Sequence, residues 1–181
     1  MMRLFVLAGG FGTRLQSAVD MVPKALAPVG EVPFLQLQIE AWFSEGVRHF
    51  TFLLHHQADQ IVTFLQDEGV RYGGKCQFDW VIEEVPLDTG GALAHALREV
   101  KFEGDFLVIN ADTWLGAGIR KIATADPPAL GVVKLRDTDR YGKVSFDNTF
   151  RIVNFCEKSP EGGGGWVSAG LCKLSSEDLR H

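Results

Sequence analysis

From residue 3 to residue 109, short apolar runs alternate with segments of helical spacing, and few architectures satisfy that rhythm. Residues 3–8 (RLFVLA) read as a fully buried strand that stops at Gly9-Gly10. Pro33 opens a helix carrying Phe34, Leu35, Leu37, Ile39, Ala41, Trp42 and Phe43, with Gly46 at its end. A second strand follows at 49–55 (HFTFLLH), then a helix at 58–67 (ADQIVTFLQD) that Gly69 stops. Residues 78–85 predict a third strand, 91–100 a helix and 105–109 a fourth strand. This alternation requires an α/β fold: a mostly parallel sheet, flanked by helices on both faces and joined by right-handed crossovers. After Asp112 the rhythm changes. GIRKIATA (118–125) predicts a short helix, ALGVVKLR (129–136) a strand, and KVSFDNTFRIVNF (143–155) two strands around Asp147-Asn148. The second half therefore predicts a small antiparallel addition at the sheet edge. The four glycines at 162–165 predict a mobile loop.

A chain of 181 residues can bury roughly 70% of its unfolded surface, enough for a real core. Its 46% hydrophobic and 23% charged content is that of a globular protein. The net charge of −5 argues against a nucleic-acid partner, but not against a nucleotide held by a few convergent cations. Cys76, Cys156 and Cys172 have neither pairing nor metal-type spacing and read as buried thiols in a reducing cytoplasm. The opening MMRLFVLAGG is too brief for a signal peptide or a membrane span, so a cytoplasmic protein without a membrane partner is expected. The sequence carries no signal for oligomeric state; a homodimer is one assembly it allows.

The segment GGFGTR (9–14) after the first strand is suited to an anion, because glycine lets backbone N–H groups point inward at phosphate. It is neither the dinucleotide fingerprint nor a P-loop, since it lacks the third glycine of the one and the GK[ST] of the other. A plain tight turn is the competing reading, and Arg14 and Lys24 weigh against it. A guanidinium fork and an ammonium point charge in one segment suit a polyphosphate better than a turn needs. Asp112 alone could be a turn former or helix cap. In an open parallel sheet, however, ligands collect outside the carboxyl ends of strands, where both Gly10 and Asp112 fall. Glu157 beside Lys158 reads equally as an ordinary ion pair. His55, His56 and Asp59 do not read as a metal site, because adjacent strand residues face opposite ways. The aromatic residues Trp42, Phe43, Phe50, Phe52 and Phe64 read as core.

The stretch GGFGTRLQSAVDMVPKALAPVGEVPFL (9–35) resembles the signature of the sugar-1-phosphate nucleotidyltransferases, GGxGTRL followed by PK and a further proline. Within that family, the SxxxxxPKxxAPxxxxPFL pattern is most similar to the heptose-1-phosphate guanylyltransferases. VPLDTGGAL (85–93) resembles the family's PLGTGGAL, with Asp88 where glycine is common. VINADT (108–113) resembles the strand end whose aspartate binds magnesium, and FCEK (155–158) the F-x-E-K segment that holds the sugar phosphate. WVSAGLC (166–172) resembles the N-x-G-x-Y segment of the sugar pocket, with Ser168 in place of asparagine.

The resemblance implies a Rossmann-like nucleotidyltransferase fold and transfer of a nucleoside monophosphate, GMP from GTP, to a sugar 1-phosphate, with Mg²⁺ as cofactor and pyrophosphate released. It implies nucleotide binding by Leu7, Gly9, Gly10, Gly12, Thr13, Arg14, Lys24, Thr89 and Gly90. It implies sugar-phosphate binding by Asp112, Glu157, Lys158, Ser168 and Gly170, metal binding by Asp112, and catalytic roles for Arg14, Lys24 and Asp112. A capsule or lipopolysaccharide route is implied as well. Mannose-1-phosphate guanylyl transfer, glucose-1-phosphate thymidylyl transfer and an inactive nucleotide-binding module are the alternatives. A glycosyltransferase would present D-x-D where this chain has Asn110-Ala111-Asp112. The family's later G-x-F-x-D-I-G segment carries the second magnesium aspartate and has no counterpart before LSSEDLRH, where Asp178 opens a helix. Residues 1–181 are thus expected to be a single nucleotidyltransferase domain lacking the family's C-terminal part.

Overall fold

The computed structural model describes residues 2–10, 22–139, 141–156 and 163–179. Its centre is strand β1 (Arg3–Leu7), paired in parallel on one side with β4 (His49–Leu54) and on the other with β6 (Asp105–Asn110). Strand β5 (Gln77–Ile82) extends the parallel part beyond β4. The long β10 (Gly165–Ser175) runs antiparallel beside β6. It also pairs with β7 (Ala129–Leu135) and β8 (Lys143–Phe146), and β8 pairs with the edge strand β9 (Ile152–Cys156). Among the described residues this makes an eight-stranded mixed sheet, joined by a separate two-stranded ribbon of β2 (Pro28–Val29) and β3 (Val32–Pro33).

Period-two alternation divides β1 between two cores. Leu4 and Val6 face one side with Phe50, Phe52, Leu54, Leu107 and Ile109. Helices α1 (Phe34–Ser44), α2 (Ala58–Tyr72) and α4 (Ile119–Ala123) cover that side, with Leu35, Ile39, Trp42, Ile61 and Leu65 pointing in. Phe5 faces the other side with Leu53, Phe106 and Val108, under Ala92, Leu93, Ala96 and Leu97 of α3 (Asp88–Glu99). The α/β architecture with helices on both faces is therefore as the alternation requires, and the β-rich second half is antiparallel as expected.

Several boundaries differ from the expectation. Helix α2 runs through Gly69 to Tyr72 and ends at Gly73, whose φ of 55° supplies the left-handed turn that closes a helix. Gly69 stays helical because the buried Leu65 and Glu68 and the Arg71–Glu68 and Arg71–Glu40 contacts hold the turns around it. Helix α3 begins at Asp88, three residues before Gly91. Pro33 caps α1 rather than lying in its first turn. Gly165 belongs to β10, opposite Leu135, so of the expected glycine loop Gly163 and Gly164 precede a strand, and Gly162 lies outside the described residues. Cys156 is exposed, because β9 is the sheet's edge and has all its residues open. Cys172 does lie against the α3 core, where burial pushes its thiol up to about 11. Trp42, Phe50 and Phe52 are fully buried, while Phe43 and Phe64 are half-buried.

At the amino ends of the parallel strands, Arg3 donates to Asp79 and Thr51, His49 Nε2 lies 2.8 Å from Asp79 Oδ2, and Gln77 donates to Asp79 Oδ1 at 3.1 Å. Burial alone would raise the Asp79 carboxyl, but the His49 and Gln77 hydrogen bonds and the Arg3 guanidinium outweigh it and hold the group below its ordinary value. A carboxyl depressed on folding contributes stability that is complete above its unfolded value, about 3.9, and is lost as pH falls through the folded one. Asp79→Asn should therefore flatten the acid limb of urea midpoint against pH below about pH 4; an unchanged limb would remove Asp79 from the acid response.

Candidate active site

A cavity of about 530 Å³ opens at the carboxyl ends of β1, β4 and β6. Strand β1 is flanked there by β4, which follows it through α1, and by β6, which returns across the opposite face through α3. The connection leaving β1 runs towards β4 and that leaving β6 runs the other way, towards β7 and β10, and such oppositely directed connections from adjacent strands open a crevice, the usual ligand position in a doubly wound sheet. The backbone at 8–10 forms its floor: Ala8 N donates to Leu53 O and Ala111 N to Leu7 O, both at 3.0 Å. Gly9 is needed for close approach, because a Cβ there would meet His55 Cβ and N at 3.3 Å.

Of the residues expected in the site, Leu7, Gly9, Gly10, Lys24, Thr89 and Asp112 all line this cavity. Gly90 follows Thr89 in the first turn of α3, with open space where a side chain would stand. Gly12, Thr13, Arg14, Glu157 and Lys158 lie outside the described residues. Ser168 and Gly170 are on β10 and are not among the residues that line this cavity. Gly170 backs onto Asn110, and its N–H donates to Ser168 Oγ at 3.2 Å.

Lys24 sits in a 3-10 turn (Lys24–Leu26) after Pro23, anchored by buried Ala25. Its Nζ donates to Asp112 Oδ2 at 2.7 Å, joining segments 88 residues apart. Among the described residues lining the cavity, Lys24 is the one that carries a lysine or arginine charge. Asp112 Oδ1 accepts from the Thr113 hydroxyl at 3.2 Å. Both partners of the ion pair are part-exposed, at 37% and 46%, so the pair adds at most about 1 kcal/mol to stability and is available to ligands.

Four features of the site were not read from the sequence. Gln38 occupies the buried stripe of α1 between Leu35 and Ile39 and donates to Thr113 O at 2.9 Å, fixing the turn that carries Asp112. A polar residue in an apolar helical stripe was the available signal. His55 and His56 lie past the end of β4 at Leu54, so strand alternation does not apply to them. Both line the cavity, and His55 Nδ1 lies 2.9 Å from Glu83 O. Glu83, nearly buried, lines the far wall and accepts from Leu87 N at 3.1 Å. Asp88 has φ of 55°, a left-handed conformation that glycine favours and that aspartate tolerates better than most side chains. No group of three metal-binding side chains occurs among the described residues.

A crevice at the switch point of a mostly parallel sheet, floored by glycine backbone and bearing a lysine–aspartate pair, defines a doubly wound α/β protein with a ligand site at its strand ends. The chain belongs to the nucleotidyl transferase family, whose profile matches residues 4–176. It is 32% identical over 158 residues to the D-glycero-alpha-D-manno-heptose 1-phosphate guanylyltransferase of Campylobacter jejuni, covering 87% of this chain and 69% of that relative. The mannose-1-phosphate guanyltransferase of Aspergillus oryzae is 29% identical over 94% of this chain, which spans 48% of its length. The crystal structure of HddC from Yersinia pseudotuberculosis complexed with GMP-PN superposes with a TM-score of 0.81 at 30% identity, covering 99% of this chain and 79% of that one.

Gly170 tests the geometry behind the wall. Its φ is 69°, and a Cβ would stand 3.2 Å from Asn110 Nδ2 and 3.5 Å from Thr113 Oγ1. Gly170→Ala should cost about 1–2 kcal/mol in urea unfolding and shift the Asn110 side-chain amide resonances. A neutral substitution with an unmoved Asn110 would contradict this packing.

Proposed function

We propose that this chain is a single nucleotidyltransferase domain that transfers GMP from GTP to a sugar 1-phosphate, releasing pyrophosphate, with a manno-heptose 1-phosphate as the favoured acceptor. The observation that carries this reading is the convergence of the Gly9-Gly10 backbone, Lys24 and Asp112 on one cavity at the β1/β6 switch point. The guanylyltransferase relatives from Campylobacter jejuni and Aspergillus oryzae support guanine and a manno-configured sugar phosphate.

In this mechanism an oxygen of the sugar phosphate attacks the α-phosphorus and pyrophosphate leaves in line. Such a transfer needs positioning and charge neutralisation rather than a covalent nucleophile. Backbone N–H groups at 9–10, together with Gly12, Thr13 and Arg14, hold the triphosphate, and Lys24 carries charge that grows on the leaving pyrophosphate. Leu7, Thr89 and Gly90 border the nucleotide. Glu157, Lys158, Ser168 and Gly170 serve the sugar-phosphate side.

Asp112 fits a magnesium ion as a carboxylate ligand. It is a hard oxygen donor, part-exposed on the cavity wall, and magnesium takes one or two carboxylates with phosphate oxygens and water completing its shell. When bound, the ion would neutralise phosphate charge. A cytoplasmic enzyme supplying a capsule or lipopolysaccharide route suits this chemistry, and a homodimer is compatible with it. No described helix is long and apolar enough to cross a membrane.

Pyrophosphate release should be measured with the four nucleoside triphosphates and a panel of sugar 1-phosphates in magnesium. Release is expected with GTP and a manno-heptose 1-phosphate, exceeding that with mannose 1-phosphate. Asp112→Asn and Lys24→Met should each lower kcat/KM by about 10²–10³-fold without altering the melting temperature appreciably. Nucleotide binding without release from any acceptor would replace the proposal with a nucleotide-binding module.

A further inference from the structure

The Lys24–Asp112 pair joins the phosphate-binding and metal-binding halves of the proposed site directly to each other. Lys24 Nζ occupies Asp112 Oδ2 at 2.7 Å, and the Thr113 hydroxyl occupies Oδ1 at 3.2 Å, so both carboxylate oxygens are engaged. A cation bound to Oδ2 would have to displace an ammonium group or lie beside it. We propose that Lys24 is a place-holder on the metal carboxylate: it blocks divalent cations from the ligand-free protein and is drawn off Asp112 by the triphosphate, so that metal enters with nucleotide rather than before it. This inference rests on the nucleotidyltransferase reading given above.

The two partners are built for unequal roles. Asp112 is fixed, because Ala111 N donates to Leu7 O in the continuation of the β1–β6 ladder and Gln38 holds Thr113 O from the buried face of α1. Lys24 stands on a three-residue 3-10 turn, and its side chain is long, flexible and 37% exposed. When the contact breaks, the lysine is the partner that moves. The strength of the contact suits the exchange. An exposed pair is weak enough for a triphosphate, with three or four negative charges, to outbid a single carboxylate. It is strong enough to matter to a metal that must share the same carboxylate. Exchange of partners makes nucleotide and metal mutually cooperative, and by linkage each must favour the other equally.

The test uses Mn²⁺ as probe on the ¹⁵N-labelled full chain, reading paramagnetic broadening of the amides at 110–113. Without nucleotide, Lys24→Met and, as a second variant, Lys24→Gln should bind Mn²⁺ at this site about fivefold or more tightly than the unaltered chain. A non-hydrolysable GTP analogue should abolish or reverse that advantage. Asp112→Asn should remove the local broadening in every background. If both Lys24 variants bind Mn²⁺ no more tightly than the unaltered chain while Asp112→Asn still removes the broadening, the place-holder role is overturned and the metal assignment stands. If Asp112→Asn leaves the broadening of the nucleotide complex unchanged, the metal assignment itself falls, and the place-holder with it.

Discussion

The parallel pairing of β1 with β6 is the constraint on which the rest of the molecule depends. These strands are distant in sequence, yet their register sets Leu7 opposite Asn110, so the glycine turn and the Asp112 turn leave the sheet side by side. The chain reaches β6 only after α1 and α2 have carried it out along one face to β5 and α3 has brought it back along the other. Right-handed crossovers that run in opposite directions along one sheet must place their helices on opposite faces. The crevice at the strand ends is a consequence of that winding, and the site residues need only be suited to an opening that the topology supplies.

Close approach of backbone narrows what such an opening can admit. Gly9 lets the turn after β1 lie against His55, and Gly170 lets β10 bulge against Asn110 where its pairing with β7 shifts between Ser168 and Cys172. One glycine shapes the floor of the cavity and the other supports its wall from behind. Between them, Gln38 reaches from α1 to the carbonyl beside Asp112 at the cost of a buried polar side chain in an apolar stripe. Its Oε1 has no hydrogen-bond partner among the described residues. A leucine would pack that helix face without this penalty, so the amide is better understood as positioning the strand-end turn than as stabilising the core.

Much of this was legible in the sequence because the signals were local. A buried strand that stops at paired glycines, and an aspartate just after another buried strand, need no tertiary information to be placed at the carboxyl edge of a parallel sheet. What failed was set by contacts distant in sequence. Gly69 reads as a helix stop, but the α1–α2 contacts made by Arg71 and the burial of Leu65 hold the helix through it. Asp88 and Thr89 read as loop, although α3 already includes them, because Ala92 and Ala96 dock the helix onto the sheet from its first turns. The largest omission was β10. WVSAGLC carries a motif within an eleven-residue strand whose buried positions, Val167, Ala169, Leu171 and Lys173, alternate as a strand's should. Strand alternation does not reach His55 and His56, which lie one and two residues beyond the end of β4 at Leu54.

Placing the charged groups at a winding crevice rather than in the core also settles how they are held. At the opposite end of the strands, Arg3 is nearly buried and bound to Asp79 and Thr51, with its guanidinium over the rings of Phe5 and Phe102. That arrangement holds the cation firmly, since breaking the pair would leave a nearly buried guanidinium without its counter-charge. Lys24 and Asp112 are paired at the cavity mouth with water at hand, where separation costs little. The proposed exchange of one set of charges for the phosphates and metal of a substrate needs the second kind of pair. The same sheet thus carries an ion pair with a nearly buried cation at its amino end and a part-exposed pair at its carboxyl end, and the two ends differ in how freely their charges can be parted.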